Sequence, residues 1–267
     1  MKKTLIISLL LTVSCADAFR MTYTYFLPPS PARLEKKLDN IVPNNEPHHY
    51  AVLIGGNTED RHRNNISLAY QVLLEQGYDR NDIFIFDSEG GDPAIFPITD
   101  STTEKTIQIM FKWLADHVTY DDTLMIYMTG HGRKMIPSGE SAYVLNLAEN
   151  LQKTRFMELI KGIRPHFGVI FGDFCYWGAV DMSQPGMEPY VFITATDDDH
   201  ISYGTTFGRS FWNSFREYGK KSLSVYEAYL EALVNDPLFA RKDANHPSLS
   251  FCKTRPENYN ILGEKIR

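Results

Sequence analysis

The chain has 267 residues, 43% hydrophobic and 22% charged, which is enough apolar material for one large core or two small ones. Its formal net charge is −6 and its densest basic run is Arg33-Leu34-Glu35-Lys36-Lys37, so a nucleic-acid-binding face is excluded. Three cysteines, Cys15, Cys175 and Cys252, exclude a disulfide framework.

Residues 1–18 read as a signal peptide. Lys2 and Lys3 precede an apolar run from Leu5 to Leu11, and Ala16-Asp17-Ala18 is a small-x-small cleavage site. The run is too short to anchor the chain across a bilayer, so no membrane span is expected. Cys15 is placed where a lipid anchor would be attached, but Thr12 fits that box poorly, and simple cleavage is the favoured reading. The protein is therefore expected to be exported, secreted or periplasmic. Cys175 and Cys252 then either pair with each other or stay free, and a thiol kept in an oxidising compartment points to use.

Residues 19–48 are rich in proline and polar residues and are expected to form an irregular leader or pro-like segment. A folded domain is expected over 49–267. It starts with the apolar run at 50–56, which two glycines close, as in a buried parallel strand. A helix capped by Asn64 or Asn65 should follow, with Ile66, Ala69, Tyr70, Leu73 and Leu74 on one face and Gly77 as its stop. Residues 82–87 are a second strand. Ser101 and Glu104 form a capping-box pair ahead of a helix striped by Ile107, Met110, Phe111 and Leu114.

Residues 123–132 are a third strand. Beyond them lie a short extended piece at 141–147, a helix facing inward through Phe156, Leu159, Ile160 and Ile163, and two strands, 167–175 and 189–197. Two amphipathic helices, striped by Phe207, Phe211 and Phe215 and by Val225, Ala228 and Ala232, follow. This alternation defines an α/β fold: a single doubly wound domain with a mostly parallel sheet flanked by helices.

Sites in such sheets lie beyond the carboxyl ends of the strands. The first strand delivers Gly55, Gly56 and Asn57 ahead of Glu59-Asp60-Arg61-His62, the third delivers His131 and Gly132, and the fourth delivers Asp173 and Cys175. Taken singly, Cys175 reads as a core thiol and His131 as a structural histidine. Taken together, at the ends of adjacent strands, they make a nucleophile and a proton-transfer group for acyl transfer. The backbone N–H groups of Gly132 and Cys175 are placed to hold an oxyanion. Asp197-Asp198-Asp199-His200 offers oxygen ligands, but a solvated loop or pocket rim is the preferred reading, so no metal and no cofactor is expected. G-x-G-x-x-G and the P-loop are both absent. Asn65-Ile66-Ser67 matches the glycosylation sequon at a predicted helix start and carries little weight.

"YMTGHG" and "IFGDFCYWGA" resemble the His-Gly and acid-x-Cys blocks of the caspase-like cysteine peptidases, and the stretch from Glu59 to Phe86 is similar to the legumain and GPI-anchor transamidase pattern. The resemblance spans roughly residues 50–215. It implies a caspase-like fold, peptide or protein substrates, His131 as the proton-transfer residue, Cys175 as the nucleophile and Gly132 as an oxyanion contributor. A specificity pocket for Asn or Asp maps onto Arg61, Asp173 and Ser202. Glu59 departs from the family pattern, where an asparagine orients the histidine. Hydrolysis, transamidation and non-catalytic peptide binding are all compatible with these residues.

Overall fold

In the computed structural model, the residues described are 30–41, 46–56, 59–88, 97–178, 180–202, 206–218, 223–238, 246–253 and 255–265. The signal peptide, Cys15, most of the leader and Asn57 lie outside them.

Among the described residues, six strands form the main sheet, in the order β2-β1-β3-β7-β8-β9. They are β1 (His49–Gly55), β2 (Ile83–Asp87), β3 (Thr123–Thr129), β7 (Phe167–Asp173), β8 (Tyr190–Thr194) and β9 (Ser248–Phe251). All neighbours are parallel except β8 and β9. The apolar runs are strands buried on both faces. Val52 and Ile54 of β1 point into one core, and Ala51 and Leu53 into the other.

Helices cover both faces, which is the doubly wound arrangement that the alternation predicts. Helices α2 (Asp60–Gln76), α5 (Thr206–Glu217) and α6 (Val225–Asn235) share one core; α1 (Pro31–Asp39), α3 (Glu104–His117) and α4 (Lys153–Ile160) share the other.

Several local expectations are corrected. The segment 19–48 is not irregular throughout: Pro31 opens α1, whose Leu34 and Leu38 are fully buried in the core. Burying each side chain contributes about 2 kcal/mol, so this helix is an integral part of the domain. Helix α2 begins at Asp60, four residues before the expected caps, with extended Glu59 as its N-cap. Helix α3 is capped by Thr103, whose hydroxyl accepts from Thr106 N–H, rather than by Ser101. The third strand ends at Thr129. Past His131 the chain turns back into a small antiparallel sheet of β4 (Gly132–Lys134), β5 (Ser141–Val144) and β6 (Asn150–Gln152).

The strand order reverses between β1 and β3, because the chain leaves β1 for β2 on one side and then returns to β3 on the other. The crevice at such a reversal is where ligands bind in open α/β sheets.

Candidate active site

Pairing of β3 with β7 sets the site. Thr129 is the register partner of Asp173, so His131 and Cys175 are each the second residue beyond the last paired position of adjacent parallel strands. The two turns touch through their backbones. A Cβ on Gly132 would lie 1.9 Å from the Cys175 carbonyl oxygen, so only glycine permits this approach. The His131 backbone is anchored in turn by the Val144 N–H, which donates to its carbonyl at 2.9 Å. Tyr143 of β5 donates its hydroxyl to the Ile54 and Thr129 carbonyls, tying β1 to β3 at the same level.

The His131 imidazole is partly exposed and meets Glu59, with Nε2 3.2 Å from Oε1. Glu59 makes no capping bond to its own helix and instead uses its other oxygen on Arg61 Nε, at 2.6 Å. Slight desolvation raises the Glu59 carboxyl, but Arg61 and the His131 and His62 imidazoles outweigh it and hold the group below the usual carboxylate range. A carboxylate at Nε2 favours the tautomer with its proton there, which leaves Nδ1 as the basic nitrogen. Glu59 is thus positioned to orient the histidine.

Cys175 is half-buried. Its sulfur accepts the Ser202 N–H at 3.2 Å and lies 3.7 Å from the Ser202 carbonyl oxygen. The next residue, Tyr176, has φ 60°, a left-handed conformation that costs a non-glycine residue about 1 kcal/mol or more. Its N–H donates to the His200 carbonyl at 3.1 Å, so the Ser202 loop clasps both the strained turn and the thiol.

Asp173 differs from its expected pocket role. Only 1% of it is exposed, and its Oδ2 accepts from Asn65, Tyr127 and Thr129 at 3.1, 2.9 and 3.4 Å. A Cβ on Gly208 of α5 would lie 2.1 Å from this oxygen, so glycine is required above it. Burial pushes the Asp173 carboxyl up to about 6 against the opposing pull of the three donors. The carboxylate beside the Arg61 fork is Glu59, and Asp173 is a buried anchor beneath the site. Asn65, which belonged to the sequon, is buried in α2 with its amide spent on Asp173, so it is no glycan acceptor.

His62 was not singled out by the sequence. It sits in the first turn of α2, 3% exposed, with Nδ1 2.8 Å from Thr129 Oγ1 and its ring edge-to-face with His131 at 5.6 Å. Burial, followed by Arg61 and His131, lowers its pKa to about 4, so it is neutral. The aspartate run also gains a partner. Asp197 Oδ1 lies 2.6 Å from His200 Nδ1, and the His246 ring packs on His200 at 3.9 Å.

At the opposite end of the sheet a cavity of about 600 Å³ is lined by Lys37, His48, Asp79 and Asp82, and its histidine and Asp82 are paired with each other at 2.8 Å. Among the described residues, no helix is long and apolar enough to cross a membrane. No protein-family model matches the chain, and no curated protein matches it.

Proposed function

We propose that the protein is an exported cysteine endopeptidase that works through a Cys175–His131 dyad. The observation that carries this reading is the Thr129–Asp173 register, which brings both residues to the same level of adjacent strands, with Gly132 against the Cys175 carbonyl. The Cys175 thiolate attacks the scissile carbonyl carbon, and the C=O electron pair moves onto oxygen, toward the N–H groups of Gly132 and Cys175. Collapse of this intermediate expels the amine, which takes a proton from His131, and leaves a thioester on Cys175. Water, deprotonated by His131, then attacks the thioester; the acid is released and the thiolate restored.

Arg61 and Ser202 supply the pocket for the side chain before the scissile bond. Because Glu59 already neutralises the guanidinium, a carboxamide suits this pocket better than a second carboxylate. Asparagine is therefore the favoured residue and aspartate a poorer one. The absent asparagine that orients histidine in the resembling peptidases is replaced functionally by Glu59.

The test is cleavage of a peptide library varied at the residue before the scissile bond, run beside Cys175→Ala and repeated with an added amine. Cleavage after Asn that vanishes in the variant is the expected result. Cys175-dependent cleavage after an unrelated residue would keep the dyad and remove the pocket assignment. A ligated product would make the enzyme a transamidase. No Cys175-dependent product at any pH would remove the peptidase reading.

A further inference from the structure

Glu59 and His62 lie one turn apart at the start of α2, and β3 brings His131 against both. We propose that these three side chains form a binding site for a late first-row divalent cation, Zn²⁺ above all, and that occupancy silences proton transfer at His131. One ligand atom from each residue lies within 4.8 Å of the other two.

Two independent observations support the site. The first is the donor set: two imidazoles and one carboxylate suit zinc, cobalt or nickel, whereas magnesium and calcium take oxygen ligands. The second is His62 Nε2, a buried nitrogen with no hydrogen-bond partner. Its sister Nδ1 is held by Thr129, so Nε2 is the nitrogen left for a metal, and such orphaned polar atoms call for an explanation.

Ligand atoms around tetrahedral zinc stand about 3.4 Å apart at bond lengths of about 2.1 Å. Glu59 and His131 are both accessible to solvent, so their side chains have room to rotate toward that spacing. Arg61 stays on the second Glu59 oxygen and orients it. The ion takes the place of the proton between Glu59 and His131 Nε2. A neutral imidazole holds one proton, so metal on Nε2 sends that proton to Nδ1, where it occupies the lone pair that the dyad needs. No oxidation or reduction is involved. The metal site stands on geometry alone, whereas its inhibitory effect rests on the proposed peptidase activity.

The experiment titrates Cys175→Ala protein with Co²⁺ alone and reads the visible absorption of the bound ion. This separates metal binding from catalysis and from thiolate ligation. One site is expected whose Kd rises at least tenfold in His62→Ala and in Glu59→Gln and is unmoved in His246→Ala, which removes the other histidine cluster. Glu59→Gln alters an exposed side chain and keeps the test decisive should His62→Ala fail to fold. In the wild type, Zn²⁺ should inhibit cleavage reversibly on chelation. The half-inhibiting concentration should rise at least tenfold in Glu59→Gln, judged against that variant's own metal-free rate. Co²⁺ affinity indifferent to both His62→Ala and Glu59→Gln, lost with His246→Ala, or requiring Cys175 would overturn the site. Binding as expected in a protein that cleaves nothing would uphold the site and remove the peptidase reading.

Discussion

The two ends of the same sheet hold similar residues in opposite condition. At the amino end, Asp122 is buried and fully used: Oδ1 accepts the His48 N–H at 2.7 Å, and Oδ2 accepts from the Thr119 N–H and hydroxyl at 2.7 and 2.9 Å. His48 and His49 are likewise matched, to Asp82 and Thr123 at 2.8 Å each. At the carboxyl end, His62 Nε2 and Asp173 Oδ1 are buried without partners, and Tyr176 is left-handed. Stability alone favours the first condition, because each unmet buried group costs about 1–3 kcal/mol. The unmet His62 and Asp173 atoms and the strained turn at the carboxyl end lie beside the proposed dyad, where a functional role would account for them.

The comparison is sharpest for substitutions that separate activity from stability. Cys175→Ala or His131→Ala should lower the cleavage rate by about 10³-fold or more, with the melting temperature little changed, since both groups are partly exposed. Gly132→Ala should damage both, because its Cβ cannot coexist with the Cys175 carbonyl; about 3 kcal/mol of stability and nearly all activity should go, as read by urea melts and assay. Asp122→Ala, at the other end, should cost about 3 kcal/mol by leaving three donors unpaired, yet keep the cleavage rate per folded molecule. A drop in that rate would break the division between the ends.

Asp173→Asn makes a subtler test with a defined sign. The folded carboxyl titrates near 6, above its ordinary 3.8, so the native state holds the extra proton. The associated stability is present below pH 3.8 and is lost as pH rises through 6. The Asn variant, which cannot ionise, should be about 3 kcal/mol more stable than the wild type at pH 7.5, with the gap nearly closed by pH 4, measured by melts across that range. Glu59→Gln should produce the smallest change, about a tenfold loss of rate with little change in melting temperature, because it keeps the shape and removes the charge that orients His131.

The sequence made the sheet legible because strands such as β1 and β3 are continuous apolar runs, buried on both faces and bounded by Gly56 and Gly130. It hid α1 because the prolines around Ser30 outweighed the Leu34–Leu38 spacing, the one periodic signal there. It hid β9, which has only four half-buried residues. Within the site, Cys175 and His131 stood out by chemistry and position. Asn65, Tyr127 and His62 did not: Asn65 and His62 sit in the polar run at 59–65 and Tyr127 in an apolar strand, and each acquires its buried polar role only when α2 packs over the ends of β3 and β7. The carboxylate beside Arg61 is likewise decided by packing and is Glu59 rather than Asp173. Asp173 points into the sheet's buried layer, whereas Glu59, unused as a cap, turns outward to the arginine.

Two free cysteines among the described residues provide an internal control for the Cys175–His131 dyad. Cys252 is exposed and Cys175 half-buried, so exposure alone favours labelling of Cys252. Limiting iodoacetamide, followed by mass spectrometry of the two cysteine peptides, measures their relative rates in the wild type and in His131→Ala. Faster alkylation at Cys175 is expected in the wild type, with the advantage lost in the variant. Alkylation that follows exposure in both proteins would contradict a Cys175–His131 dyad.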